Sequence, residues 1–211
     1  IAYARQIGLK VVVTDHHECK DSLPDAIAVV NPKRADSTYP FKDLAGVGVV
    51  FKLICALAGS AQLGSILASY LDLVAVGTIA DVMTLQGENR VIVANGLRVL
   101  QQTHNPGLRM LMRESGVETR RMTSTIVSFT LAPRINAAGR MGCADQAAEL
   151  FLTDNPLRAQ EIAAMLCCQN KERQNAENAI LKQAFDVLQK EYDPQVDRMI
   201  VLWGENWHHG V

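Results

Sequence analysis

At 211 residues, with 48% apolar and 20% charged side chains, the chain is long enough to bury a real core as one domain or as a domain plus an extension. Its formal net charge of −1 excludes a polycation, so bulk charge gives no support for nucleic-acid binding. Five cysteines (19, 55, 143, 167 and 168) form no CxxC and no regular framework, which fits reduced thiols in a cytoplasmic protein better than a disulfide scaffold. No apolar run is read as approaching the roughly 20 residues needed to span a bilayer, so no membrane contact is expected.

Residues 1–8 read as the last turns of a helix closed by Gly8. The run from Lys10 to Thr14 holds three consecutive valines and reads as a short buried parallel strand. A second strand, 26–30, ends in Asn31-Pro32, and 36–43 is a polar, proline-punctuated loop. Gly46-Val47-Gly48 opens an apolar helix to residue 58; it lacks the third glycine and the preceding strand of a dinucleotide site. Residues 70–85 are nearly all apolar. A helix is expected over 89–103, broken by Pro106-Gly107, with another over 108–114. A further helix over 123–131 is expected to stop at Ala132-Pro133. Residues 145–151 are helical, and Asp154-Asn155-Pro156 starts a helix running from Leu157 to about Tyr192, with a polar middle at 169–178 that suits a solvent-bridging connector. Residues 198–203 read as a strand. Both ends look cut, so the expectation is an internal piece of a longer protein.

Chemistry concentrates at four places. Asp15-His16-His17 follows the first strand, beyond the carboxyl ends of the strands, where open α/β sheets place their ligands. Two imidazoles and a carboxylate there suit a transition metal, the carboxylate fixing a histidine tautomer; a polar corner with solvated histidines suits the same residues. Asp81, in GTIADVM (77–83), is a lone carboxylate in an apolar setting. It reads equally as a cation ligand and as a helix N-cap or exposed turn residue. The stretch PRINAAGRM (133–141) reads as a basic glycine-containing loop in which two arginines flank an asparagine, residue types that approach phosphate oxygens. Around it, from His104 to Gly142, six arginines (109, 113, 120, 121, 134 and 140) stand against Glu114 and Glu118, a local balance of +4. The terminal WHHGV (207–211) reads as a structural turn. His104 reads as surface, and Cys167-Cys168 as helix packing.

The order of these segments is itself informative. VVTDHH (12–17), Asn31-Pro32, AGVGVVFK (45–52), LDLVAVGTIADV (71–82), Asn89-Arg90 and PRINAAGR (133–140) together resemble the DHH phosphoesterase superfamily. The RINAAGR stretch and the terminal Trp-His-x-Gly-Val are similar to the bacterial single-strand-specific DNA exonucleases within it. The resemblance covers essentially the whole chain.

The resemblance implies an α/β fold with a parallel-sheet DHH catalytic domain over 1–156, truncated at its N-terminus. A long connecting helix over 157–193 would follow, then the first strand of a second, DHHA1-like domain at 198–211. It implies hydrolysis of single-stranded DNA from the 5′ end with two divalent ions, Mn²⁺ or Mg²⁺, and DNA threading between the domains. His16 and Asp81 would ligate metal, Asp15 would stand behind or beside the cluster, and His17 would face the scissile phosphate. Arg134, Asn136 and Arg140 would bind the DNA backbone or the reacting phosphate. Single-stranded DNA is the implied substrate, in repair and recombination, and a helicase and a single-strand-binding protein are the implied partners. The family's DxD-type strand end and a further aspartate, which supply most of the metal-binding carboxylates, lie upstream of the triplet and are absent here. The expectation is therefore a piece that is inactive alone, or holds metal poorly. Two alternatives stand beside this: a related phosphodiesterase acting on short oligonucleotides or cyclic dinucleotides, and a non-catalytic DHH binding module.

Overall fold

A computed structural model describes residues 1–140, 142–193 and 195–207. The chain divides into two units, one built from residues 1–104 and 118–132, the other from 105–117 and 133–211.

The first unit opens with α1 (Ala2–Gln6), closed as expected by a left-handed Gly8 at φ +78. Strand β1 (Val12–Thr14) pairs in parallel with β2 (Ala28–Val30) in the register Val12↔Ala28, Val13↔Val29 and Thr14↔Val30. The Asp15 amide donates to the Val30 carbonyl at 3.0 Å, so the pairing runs to the first residue of the triplet. The expected strand is present and parallel, but it is not buried: Val12 is 54% exposed, because the described sheet has only two strands. On edge strand β2 the Val29 carbonyl is satisfied by Arg34 Nη1 at 2.6 Å rather than by another strand, which blunts that edge.

Helix α2 (Gly46–Ala58) begins at the glycine pair and packs on β1. A 3₁₀ turn (Ser60–Gln62) leads into α3 (Leu63–Ala80) and then α4 (Gly87–Leu100). Residues 60–80 are long and apolar enough to cross a bilayer, contrary to expectation. Yet α3 packs against both α2 and α4, and its buried set includes Leu71, Asp72, Val74, Ala75, Val76 and Thr78, so an apolar circumference here belongs to a core helix. Leu44, Val49, Phe51, Ile66, Leu71, Val74 and Ile92 form the core. Helices α3 and α4 approach so closely that a Cβ on Gly96 would collide with the Leu71 carbonyl oxygen and with Ala75 Cβ. Asp72, buried within this apolar helix, accepts a 2.5 Å hydrogen bond from Thr103 Oγ1.

The helix expected to stop before Pro133 does not stop. Thr123 caps α6 (Ser124–Ile126), a π-helical turn follows (Val127–Leu131), and α7 (Ala132–Arg140) continues. The Ala132 amide reaches back five residues to the Val127 carbonyl. A proline lacks the amide and its ring collides with the carbonyl four residues back; widening the preceding turn removes that conflict. The stretch read as a basic loop is therefore helical from 132 to 140, and Met141 lies outside the described residues.

In the second unit α5 (Pro106–Glu114), α8 (Ala144–Leu152) and α9 (Pro156–Glu191) pack on one another through Leu108, Leu111, Leu150, Ile162 and Leu166. Asn155 caps α9 by accepting from the Leu157 and Arg158 amides, with Pro156 at the first helical position, the start signal read from sequence. Arg158 forks onto Glu149 at 2.6 and 2.8 Å, holding α9 to α8. The 36 residues of α9 amount to about 54 Å. The strand expected at 198–203 does not form among the described residues: Met199, Val201 and Trp203 are 76–82% exposed, and no neighbouring strand receives their backbone groups. Trp207 instead donates to Gln183 of α9 at 2.8 Å. The rest of the WHHGV turn, and Pro194, lie outside the described residues.

Candidate active site

The loop leaving β1 is fixed by its first residue. Asp15 Oδ1 accepts from the His16 amide at 2.7 Å and the His17 amide at 3.2 Å, an Asx-type turn. The same oxygen lies 2.7 Å from His17 Nδ1. The hydrogen bond from the His17 ring, followed by the His17 and His16 amides, holds the Asp15 carboxyl below its usual range. An ionised Asp15 keeps the proton on Nδ1 and turns Nε2 of His17 outward; that side chain is 77% exposed. Asn31, buried just after β2, donates to the His17 carbonyl at 2.9 Å and accepts from the Lys33 amide, tying the triplet to the second strand.

His16 faces elsewhere. Its ring sits against the first turn of α2, where a Cβ on Gly46 would lie 3.4 Å from His16 Cδ2. Its Nε2 is 3.5 Å from Asp81 Oδ2, the imidazole sheltered at 15% exposure and the carboxylate accessible at 44%. Asp81 is the residue that ends α3, its amide donating to Gly77. A carboxylate at a helix C-terminus adds to the negative end of the helix dipole, an unfavourable place for an anion and a favourable one for a cation. Of the two readings of Asp81, the ligand reading thus gains a partner; the residue is also in an exposed turn, as the other reading had it, but at the C-terminal end of α3 and not at a helix N-cap.

One nitrogen and one oxygen at this separation suit adjacent ligands of a single ion, whose bonds of about 2.0–2.2 Å leave neighbouring donors about 3 Å apart. The donor set is incomplete: among the described residues no group of three or more His, Cys, Asp or Glu side chains is placed to hold an ion. The structure thus brings Asp15, His16, His17 and Asp81 together in the first unit.

Arg134, Asn136 and Arg140 belong to the second unit, on α7. Asn136 and Arg140 are exposed one helical turn apart and share a face, whereas Arg134 is half-buried and points to another side. Sequence reading assigned no part in the site to Asn31, Gly46 or Asn89. All three stood inside the quoted motifs, and a short polar or small residue next to a candidate ligand was the available signal.

Residues 1–78 match the family described as "DHH family, N-terminal domain". Over nearly its whole length the chain is similar to the single-stranded-DNA-specific exonucleases named RecJ. It is 42% identical to that of Bacillus subtilis over 99% of this chain and 26% of the relative. It is 34% identical to that of Escherichia coli over 100% of this chain and 39% of the relative. The fold agrees: a crystal structure of exonuclease RecJ bound to manganese superposes with a TM-score of 0.82 at 37% identity, covering 99% of this chain and 51% of that one. RecJ of Thermus thermophilus in complex with Mn²⁺ gives 0.81 at 36% identity, covering 99% and 31%. The chain thus spans between 26% and 39% of the length of these curated relatives.

Proposed function

We propose that this chain is part of a divalent-metal-dependent exonuclease that hydrolyses phosphodiester bonds of single-stranded DNA from the 5′ end. The observation that carries this reading is the 3.5 Å approach of His16 Nε2 to Asp81 Oδ2, made by residues far apart in sequence, in a chain similar to RecJ throughout. The similar crystal structures of RecJ bound to Mn²⁺ support a divalent ion as the group held there, with Mg²⁺ the alternative.

His16 and Asp81 would hold one such ion between them. When bound, it supplies Lewis acidity at a phosphoryl group and a nucleophile at neutral pH. The chain's own residues do the rest. Asp15 fixes the His17 ring with its proton on Nδ1, so that the unprotonated Nε2 faces the scissile phosphate and accepts a hydrogen bond from the proton network of the attacking water. Asn31 holds the His17 backbone against recoil. Asn136 and Arg140, with Arg134, bind the strand's phosphates, Arg140 through its planar fork.

The two-ligand donor set supports the further reading that the 211-residue chain alone turns over slowly or not at all. We take 1–156 as catalytic domain, 157–193 as connecting helix and 198–211 as the start of a second domain. The 36-residue α9 supports the connector. Five cysteines outside any disulfide support a cytoplasmic location. The test uses full-length protein with Mn²⁺ and single strands labelled at either end. Mononucleotides released from the 5′ end are expected. Release from the 3′ end only, or turnover of cyclic dinucleotides with single strands left intact, would refute the substrate assignment.

A further inference from the structure

The Asn89 side chain is fully buried near the start of α4. Its Nδ2 donates to two main-chain carbonyls from separate parts of the first unit, Asp43 at 2.6 Å and Thr84 at 3.1 Å. Asp43 begins the short segment that runs into Gly46, the residue against which the His16 ring rests. Thr84 lies in the turn that leaves Asp81. One amide group therefore joins the backbone behind His16 to the backbone behind Asp81.

That turn requires restraint. After Asp81 the Val82 amide donates to Ile79 at 3.0 Å and the Met83 amide to Thr78 at 3.3 Å, the paired bonds of a Schellman helix end. The motif calls for a left-handed residue, usually glycine, at the position Val82 occupies. Val82 has φ +56, and its side chain is 88% exposed. A β-branched residue in the left-handed region is strained and persists only where its surroundings over-determine it. At that exposure the valine contributes little packing of its own. The restraint comes from the backbone, with the two Schellman bonds on one side and the Asn89–Thr84 bond on the other.

We infer that Asn89 is a positioning residue that sets the His16–Asp81 separation. This rests on the proposed metal site only where the ion is the readout.

Three variants separate positioning from general stability. Asn89→Asp removes both donors at nearly constant shape. Asn89→Ser keeps a single shorter donor. Thr103→Val deletes a different buried polar contact in the same unit. Two measurements use the 211-residue chain: amide exchange over residues 81–86 against that of α9, and the nuclear Overhauser contact between the His16 ring and the Asp81 β-protons. A third, the Mn²⁺ dissociation constant, uses the full-length protein. In Asn89→Asp, exchange in the turn should rise about tenfold or more and the contact should vanish. Mn²⁺ should bind about 10–100-fold more weakly, the usual effect of removing support from a ligand. Asn89→Ser should fall between, and carries the comparison if Asn89→Asp does not fold. Thr103→Val should lower the unfolding midpoint and leave all three unchanged. An unchanged turn and contact in the Asn89 variants, or the same changes in Thr103→Val, would overturn the inference. If instead Mn²⁺ affinity ignores Asp81→Ala, the metal reading fails, and the exchange and contact measurements decide the role of Asn89 by themselves.

Discussion

Asp15 Oδ1 lies 2.7 Å from His17 Nδ1, so within the triplet the carboxylate serves the outer histidine and leaves His16 to meet Asp81. Two adjacent histidines thereby acquire different tasks. One is held by the turn and exposed toward solvent, and the other is sheltered beside a helix end.

Replacing Asp15 by Asn removes the anion that keeps the proton on Nδ1. In the full-length protein, turnover should fall about 10–100-fold, the range for a residue that orients another group. The Mn²⁺ dissociation constant should change far less, because His16 and Asp81 are intact. Steady-state kinetics together with Mn²⁺ binding check this; a loss confined to Mn²⁺ affinity would assign Asp15 to the ion instead.

Asn136 and Arg140 share an exposed face of α7. Arg140→Ala should weaken single-stranded DNA binding uniformly across sequences and reduce the salt slope by about 1, as expected for one lost phosphate contact. Fluorescence anisotropy across a salt series measures both. An unchanged slope would remove Arg140 from the DNA path.

Gly96 is where α3 and α4 come closest. Gly96→Ala drives a methyl group into both the Leu71 carbonyl oxygen and Ala75 Cβ. Such overpacking costs about 1–3 kcal/mol, against which the better helix propensity of alanine returns about 1 kcal/mol. A lower urea midpoint is expected.

The Glu149 carboxyl is held below its usual range, chiefly by the hydrogen bonds from Arg158. A carboxylate depressed in the folded state contributes stability above its unfolded pKa of about 4.3, and that contribution disappears as pH falls through the folded value. Both side chains are more than two fifths exposed, so solvent screens the pair and the effect is modest. Glu149→Gln should lower the urea midpoint at pH 7 and should have little effect once the pH is well below the carboxylate range. An equal loss at both pH values would show that the fork acts by shape alone.

Much of this was legible in the sequence because local chemistry and tertiary structure agree. The valine run gives β1, Gly46 opens α2, and Asn155-Pro156 starts α9 where a cap and a fixed φ are both needed. Asp15, His16, His17 and Asp81 were named as a site, and the fold brings them together. The disagreements have physical causes. Pro133 reads as a helix stop because the π turn that accommodates it leaves no mark in composition. Residues 198–203 have strand chemistry, but a strand exists only with a neighbour. Residues 60–80 were not recognised as a long apolar helix because Asp72 interrupts them; Thr103, 31 residues away, supplies its partner. Val82 gives no hint of a left-handed turn, since glycine is what that position ordinarily takes.

The central claim is that His16 and Asp81 act as one unit. A double-mutant cycle in the full-length protein tests it directly, measuring Mn²⁺-dependent 5′ hydrolysis and DNA affinity for His16→Ala, Asp81→Ala and the double variant. The account predicts that each single change abolishes nearly all turnover, that the second adds little to the first, and that DNA affinity stays within a few-fold of the parent's. Full activity in Asp81→Ala, or independent multiplying losses from the two changes, would contradict it.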